Sequence, residues 1–192
     1  SIIELQKNIE WREVQYNVRG GGSGCSMRTS CLGLAFFGKD NLDKLIEIAI
    51  ESGRLTHNNA LGYLGGLTSA LFTSWAVEGI VLKKWPFRLV ELLESDRVKK
   101  FINKSKSQEL IDYEKFVDYW KKYLELKFDN NKELIKTKSS KNLILRFFFH
   151  YDNFTKDDQF STTIGESGFG SVIMAYDSLI DAGDSWEKLV VY

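Results

Sequence analysis

An all-α fold is predicted by three observations. Apolar residues recur at helical spacing along most of the chain, alternating strand patterns are scarce, and the 192 residues contain a single proline, Pro86. The first candidate element, CSMRTSCLGLAFF from Cys25 to Phe37, is apolar enough to enter a core directly. Leu42, Leu45, Ile46, Ala49 and Ile50 then mark one face of a helix, and Gly53 stands where a left-handed C-cap would end it. From Asn59 to Glu78 the signal repeats in Leu61, Leu64, Leu71, Phe72, Trp75 and Ala76, with Gly79 as the stop. This segment also carries Gly62, Gly65, Gly66, Ser69 and Ala70. Such small residues let neighbouring backbones approach, at up to about 1 kcal/mol per glycine relative to alanine, and they predict a central helix.

Further helices are predicted around Trp85 to Leu93, around Leu110 to Leu126 with Phe116, Trp120 and Leu124 in register, and around Val172 to Ile180 with Gly183 beyond. The run Asn142 to Tyr151, NLILRFFFHY, fits a buried strand and a core helix or loop about equally. Asp129 to Lys141 has too few apolar residues to offset the entropy of ordering it and reads as a surface excursion. The final residues, GDSWEKLVVY, look like a helix start, with Asp184 or Ser185 as cap and Glu187 three places after Asp184. Together with Ser1 in place of an initiator methionine, that unfinished element leads us to expect a fragment.

Composition restricts function. With 43% hydrophobic residues the chain can build one domain with a core. Its 26 basic and 26 acidic residues cancel, leaving no overall field to attract nucleic acid or an anionic membrane, so any anion must be caught locally. Neither a bilayer-length apolar run nor a signal-peptide pattern is present, which predicts a soluble protein. Cys25 and Cys31 match neither a redox CxxC nor a zinc spacing and favour a reducing compartment such as the cytosol.

Two stretches carry candidate chemistry. In RGGGSGCSMRTSC, Arg19 to Cys31, the glycines read by composition alone as a flexible linker. They lead straight into an apolar segment, however, and consecutive glycines can turn backbone N–H groups toward an anion such as phosphate. No GxxxxGK[ST] or strand-led GxGxxG is present to decide between the two. In RLTHNNALGYLGG, Arg54 to Gly66, His57 is one of two histidines and lies beside the capping residues Thr56, Asn58 and Asn59. It could satisfy a helix junction or reach a bound anion or sugar.

Taken in order, GGSGCSMR, ESGRLTHNNALGYLGGLTSALFTSWAV and MAYDSLIDAGDSW resemble the central part of the ADP-ribosylglycohydrolase family, nearest its ADP-ribosylarginine hydrolases. The resemblance covers most of the chain, more weakly between about Lys83 and Thr163, and implies a compact orthogonal multi-helix fold of which residues 1–192 would be one incomplete domain. It places Gly21, Gly22, Ser23, Gly24 and Cys25 against the diphosphate and ribose of ADP-ribose, with Met27 and Arg28 behind them, and puts His57 in the same pocket. A second loop beside the ligand corresponds to Ser167, Gly168, Phe169 and Gly170. The implied substrate is an ADP-ribosylated protein, linked through arginine, or ADP-ribose itself.

The resemblance also implies two divalent cations, usually magnesium, held by carboxylates of a Ser/Thr-Asp-Asp motif and an Asp-Ser-Asp motif; neither motif occurs in this sequence. Such hard cations need oxygen ligands to orient substrate and activate water. Asp157 and Asp158 are adjacent, but TKDDQF reads as a polar helix face. No catalytic or metal-binding residue is therefore assigned. Asn59 and Ala60 stand where the arginine-type enzymes usually have His-Pro, and Glu166 where an aromatic is usual. Two readings follow: the pocket-bearing part of an ADP-ribosylarginine hydrolase, or a catalytically inactive ADP-ribose-binding or structural relative.

Overall fold

The computed structural model describes residues 14–102, 107–135, 142–156 and 162–192. Among them run the helices α1 (Gly24–Arg28), α2 (Ser30–Ala35), α3 (Leu42–Arg54), α4 (Ala60–Val77) and α5 (Trp85–Glu94). These are followed by α6 (Asp96–Lys99), α7 (Ser107–Lys127), α8 (Leu143–Phe154), α9 (Gly168–Ala182) and α10 (Trp186–Val191). The described residues contain no strand, only isolated bridges pairing Gly22 with Ser167 and Phe128 with Leu134, so the fold is all-α as predicted. None of their helices is long and apolar enough to cross a membrane.

The central element is α4, with 14 of its 18 residues buried, the mark of a helix enclosed on nearly every side. Asn59 starts it, its side-chain oxygen accepting from Leu61 N at 2.9 Å, and Gly79 ends it with φ +70°. Helices α1, α2, α3, α7 and α9 all pack on it. The predicted small-residue face is where the two glycine-rich segments land. A Cβ on Gly62 would stand 2.4 Å from the Gly20 carbonyl oxygen, one on Gly65 2.5 Å from that of Gly168, and one on Gly66 2.2 Å from Cys25 Sγ.

Helix α3 buries Leu45, Ile46, Ala49 and Ile50 as its spacing predicts. The expected left-handed cap at Gly53 is corrected: α3 runs on to Arg54, and Gly53 is not among the residues with positive φ. Gly53 is small for packing, since a Cβ there would lie 2.7 Å from Tyr63 Cβ and 3.0 Å from Cys25 Sγ. On the other side of α4, Phe72 meets Trp120 of α7 edge-on and Tyr176 of α9, each at 5.6 Å between ring centroids. Such aromatic pairs add about 0.5–1.5 kcal/mol beyond the area they bury.

The ambiguous run 142–151 is helical. Asn142 caps α8, its side-chain oxygen accepting from Leu145 N at 2.8 Å. The inward face of α8 is Arg146, His150 and Phe154, while Ile144, Phe147 and Phe148 are exposed. Charges point inward because α9 presents two carboxylates. Lys127 Nζ lies 2.7 Å from Asp177 and 2.9 Å from Asp181, and Arg146 pairs with the same two at 2.7 and 2.8 Å. Tyr123 donates to Asp177 at 2.8 Å, and His150 Nε2 lies 3.2 Å from it. Burial opposes ionisation of Asp177, but the His150 hydrogen bond and the Lys127 and Arg146 charges outweigh it and hold the carboxyl well below its ordinary range.

Of the predicted surface excursion, Asp129 to Ile135 form a turn in which Asp129 Oδ1 accepts from Asn131 N and Glu133 N, both at 2.9 Å. Residues 136–141 lie outside the described residues. Ser185 caps α10, accepting from Lys188 N at 3.3 Å.

Candidate functional site

The segment that leads into the glycine loop is fastened before the glycines begin. Asn58 Nδ2 donates to Val14 O at 2.8 Å and Gln15 O at 3.0 Å, and Asn59 Nδ2 to Asn17 O at 3.2 Å. Tyr16 donates to Asp112 of α7 and accepts from Ala60 N at 3.1 Å, tying the same segment to the start of α4. With both carboxylate and burial disfavouring the phenolate, burial being the larger effect, Tyr16 stays protonated. Asn59 is therefore both helix cap and strut.

The loop itself is held on its second side. Ser23 N donates to Glu166 O at 2.9 Å and Gly168 N to Gly21 O at 2.8 Å, pairing residues 21–23 with 166–168 in antiparallel sense. GGGSG is thus a fixed loop and not a slack tether. Ser167 caps α9 beside it, its Oγ accepting from Gly170 N at 3.1 Å. Gly168 has to be glycine, because a Cβ would stand 2.1 Å from the Leu61 carbonyl oxygen.

His57 closes the third side. After α3 the chain turns, with Thr56 N and His57 N both donating to Gly53 O at 3.2 and 2.8 Å, and brings the imidazole against the loop. A Cβ on Gly24 would lie 2.8 Å from both His57 Cε1 and Nε2, and one on Gly22 3.9 Å from Nε2. The ring's other nitrogen, Nδ1, is 2.8 Å from Thr56 Oγ1. Thr56 Oγ1 in turn accepts from Arg28 Nη1 at 2.6 Å, and Arg28 Nη2 donates to Ser52 O at 2.7 Å. Burial, then the Arg28 charge, lowers the His57 pKa below the ordinary imidazole value, so the ring is neutral at pH 7.

Gly21, Gly22, Ser23, Gly24, His57, Ser167 and Gly168 therefore meet at one seam. Three other predicted residues are placed differently. Cys25 is fully buried with its thiol against Gly66, and burial pushes that thiol up to about 11, so its side chain is inert. Phe169 is fully buried, with its ring stacked on Tyr119 at 4.0 Å, so only its backbone is near the loops. Met27 is 78% exposed and borders an apolar groove of about 490 Å³ with Phe72, Trp85, Val172 and Tyr176.

The described residues do not fit a two-cation centre. No group of three or more His, Cys, Asp or Glu among them could hold a metal ion, and Asp157 and Asp158 lie outside the described residues. The buried Asp177 and Asp181 have their charge already matched by Lys127 and Arg146.

What this geometry defines is an all-helical protein that offers glycine backbone from two loops, together with one neutral imidazole, along a single seam. The chain belongs to the ADP-ribosylglycohydrolase family, whose model matches residues 3–191. It is 37% identical over 199 residues to the ADP-ribosylhydrolase ARH1 of Dictyostelium discoideum, covering 96% of this chain and 50% of that protein. It is 36% identical over 196 residues to a protein of Acanthamoeba polyphaga mimivirus named as an ADP-ribosyl glycohydrolase, L444, covering 99% of this chain and 37% of the relative. The chain thus spans half or less of the length of these two curated relatives.

Proposed function

We propose that this chain holds ADP-ribose and is the ligand-binding part of an ADP-ribosylarginine hydrolase. That enzyme would free ADP-ribose from arginine side chains of modified proteins by metal-assisted hydrolysis of the N-glycosidic bond. The observation that carries the reading is the contact between the Gly22–Gly24 loop and the Nε2 edge of His57. With glycine on either side of Ser23 the loop leaves room for a diphosphate beside the backbone at Gly22 and Gly24, and a neutral imidazole there can donate one further hydrogen bond. Ser23 continues that surface, Gly21, Ser167 and Gly168 fix the loop from its second side, and Cys25 and Phe169, with no exposed surface, support it from beneath. Met27 faces the apolar groove and not the seam, and has no part in this reading. Two divalent cations, magnesium by the family's usage, would supply Lewis-acid chemistry, and the described residues provide no set of ligands for them. A cytosolic setting suits the two free thiols, Cys25 and Cys31.

Asn59, Ala60 and Glu166, which depart from the pattern the resemblance implies for arginine-type enzymes, favour a second reading, a non-catalytic ADP-ribose-binding or structural relative. Calorimetry with free ADP-ribose tests the binding claim common to the enzyme and a binding relative. We expect the unaltered chain to bind, and His57→Ala or Gly22→Val to weaken binding at least fivefold, the worth of about one hydrogen bond. Unchanged affinity in both variants removes the seam from the ligand site.

A further inference from the structure

We infer that Thr56 and Arg28 are positioning residues that fix the tautomer of His57, keeping the proton on Nε2 and aiming that N–H at the seam between Gly22 and Gly24. The inference rests on the proposed reading for its ligand, an oxygen acceptor of a phosphate or ribose. Its geometry is independent of that reading.

The chain of hydrogen bonds has a direction. A guanidinium has only donors, so Arg28 Nη1, 2.6 Å from Thr56 Oγ1, must donate to it. Arg28 is held in place by the second donation from Nη2 to Ser52 O at 2.7 Å, near the end of α3. A hydroxyl polarised by a cation on its lone-pair side is a better donor on its other side. His57 Nδ1, 2.8 Å from the same oxygen, is the acceptor within reach. The opposite arrangement would turn the positive end of the Nδ1–H dipole toward the Arg28 charge, which electrostatics disfavours. With the ring neutral, a lone pair on Nδ1 leaves the single proton on Nε2. A Cβ at Gly24 would approach Nε2 and Cε1 equally, to 2.8 Å, and one at Gly22 would have Nε2 as its nearest neighbour at 3.9 Å, so the proton sits on the edge facing the glycines. Without Thr56 the ring could offer a lone pair to the same spot and would repel an anionic oxygen.

The chain holds only two histidines, which makes the tautomer directly readable. Long-range ¹⁵N–¹H correlation spectra of the ¹⁵N-histidine-labelled chain, with His57→Gln used for assignment, should show His57 protonated at Nε2 and bare at Nδ1. Thr56→Ser keeps the hydroxyl and should keep this pattern. Thr56→Val should mix the tautomers and weaken ADP-ribose binding about fivefold, whereas Thr56→Ser should bind as the unaltered chain does. Arg28→Gln provides a second variant and should move the populations in the same direction. A protonated Nδ1 in the unaltered chain, or a Thr56→Val spectrum with the tautomer unchanged, overturns the inference. If the spectra change as expected while the unaltered chain does not bind ADP-ribose, the relay stands and the proposed ligand falls.

Discussion

Replacing Gly24 by alanine probes the contact between loop and histidine. The backbone of Gly24 is not among those with positive φ and begins α1, so alanine can adopt it and should gain up to about 1 kcal/mol of helix propensity. Against that gain, the new Cβ would lie 2.8 Å from His57 Cε1 and Nε2, closer than carbon and nitrogen tolerate, so the ring must move. Moving it strains its rotamer by about 0.5–1.5 kcal/mol. It also breaks the hydrogen bond with Thr56, worth about 1 kcal/mol net. The balance predicts that Gly24→Ala destabilises by about 1 kcal/mol with His57 present. In a His57→Ala background the obstruction is gone, and the same substitution should be neutral or stabilising by up to about 1 kcal/mol. Urea unfolding of the four proteins gives the coupling as a double-mutant cycle, with an expected interaction of about 1–2 kcal/mol. An equal cost of Gly24→Ala in both backgrounds would show that the loop does not meet the imidazole.

Three further outcomes are expected. Lys127→Met leaves Asp177 and Asp181 short of one buried cation and should cost about 3–5 kcal/mol in denaturant unfolding, whereas a surface ion pair such as Lys83–Glu133 should cost under about 1 kcal/mol. Because the folded-state pKa of Asp177 is depressed, its contribution to stability is present above the unfolded value of about 4 and is lost as pH falls toward the folded one. Melting temperature should therefore drop between about pH 5 and pH 2, and less steeply in Asp177→Asn, as scanning calorimetry in that window can read. Lastly, the chain with added magnesium should release no ADP-ribose from modified arginine in a chromatographic assay. Turnover would mean that it carries ligands the two missing motifs do not account for.

Helical periodicity made most of the fold readable, because the core faces of α3 and α4 carry large apolar residues at regular helical spacing. The small residues of α4 likewise announced close approach before any partner was known. Gly53 misled, since a glycine near the end of a helix can serve a left-handed turn or a tight contact, and only the position of Tyr63 decides. The run 142–151 resisted assignment because its buried face carries Arg146 and His150, charges that make sense only beside Asp177 and Asp181, 27 or more residues later. The matching four-residue spacings of Arg146 with His150 and of Asp177 with Asp181 were the available signal.

At the site, residue types and order pointed to Gly21–Gly24 and His57, but not to how they are held. Thr56 and Arg28 acquire their positioning role only through a contact spanning 28 residues, and the struts from Asn58 and Asn59 reach back more than 40. Phe169 shows the converse. The family resemblance implied ligand contact there, yet Tyr119, 50 residues away in sequence, claims its ring.

A crystal structure of the chain with ADP-ribose tests the central claim most directly. The diphosphate is expected along Gly22–Gly24, within hydrogen-bonding distance of backbone N–H groups and of His57 Nε2. ADP-ribose seated instead in the apolar groove beside Met27, or found away from both loops, would contradict it.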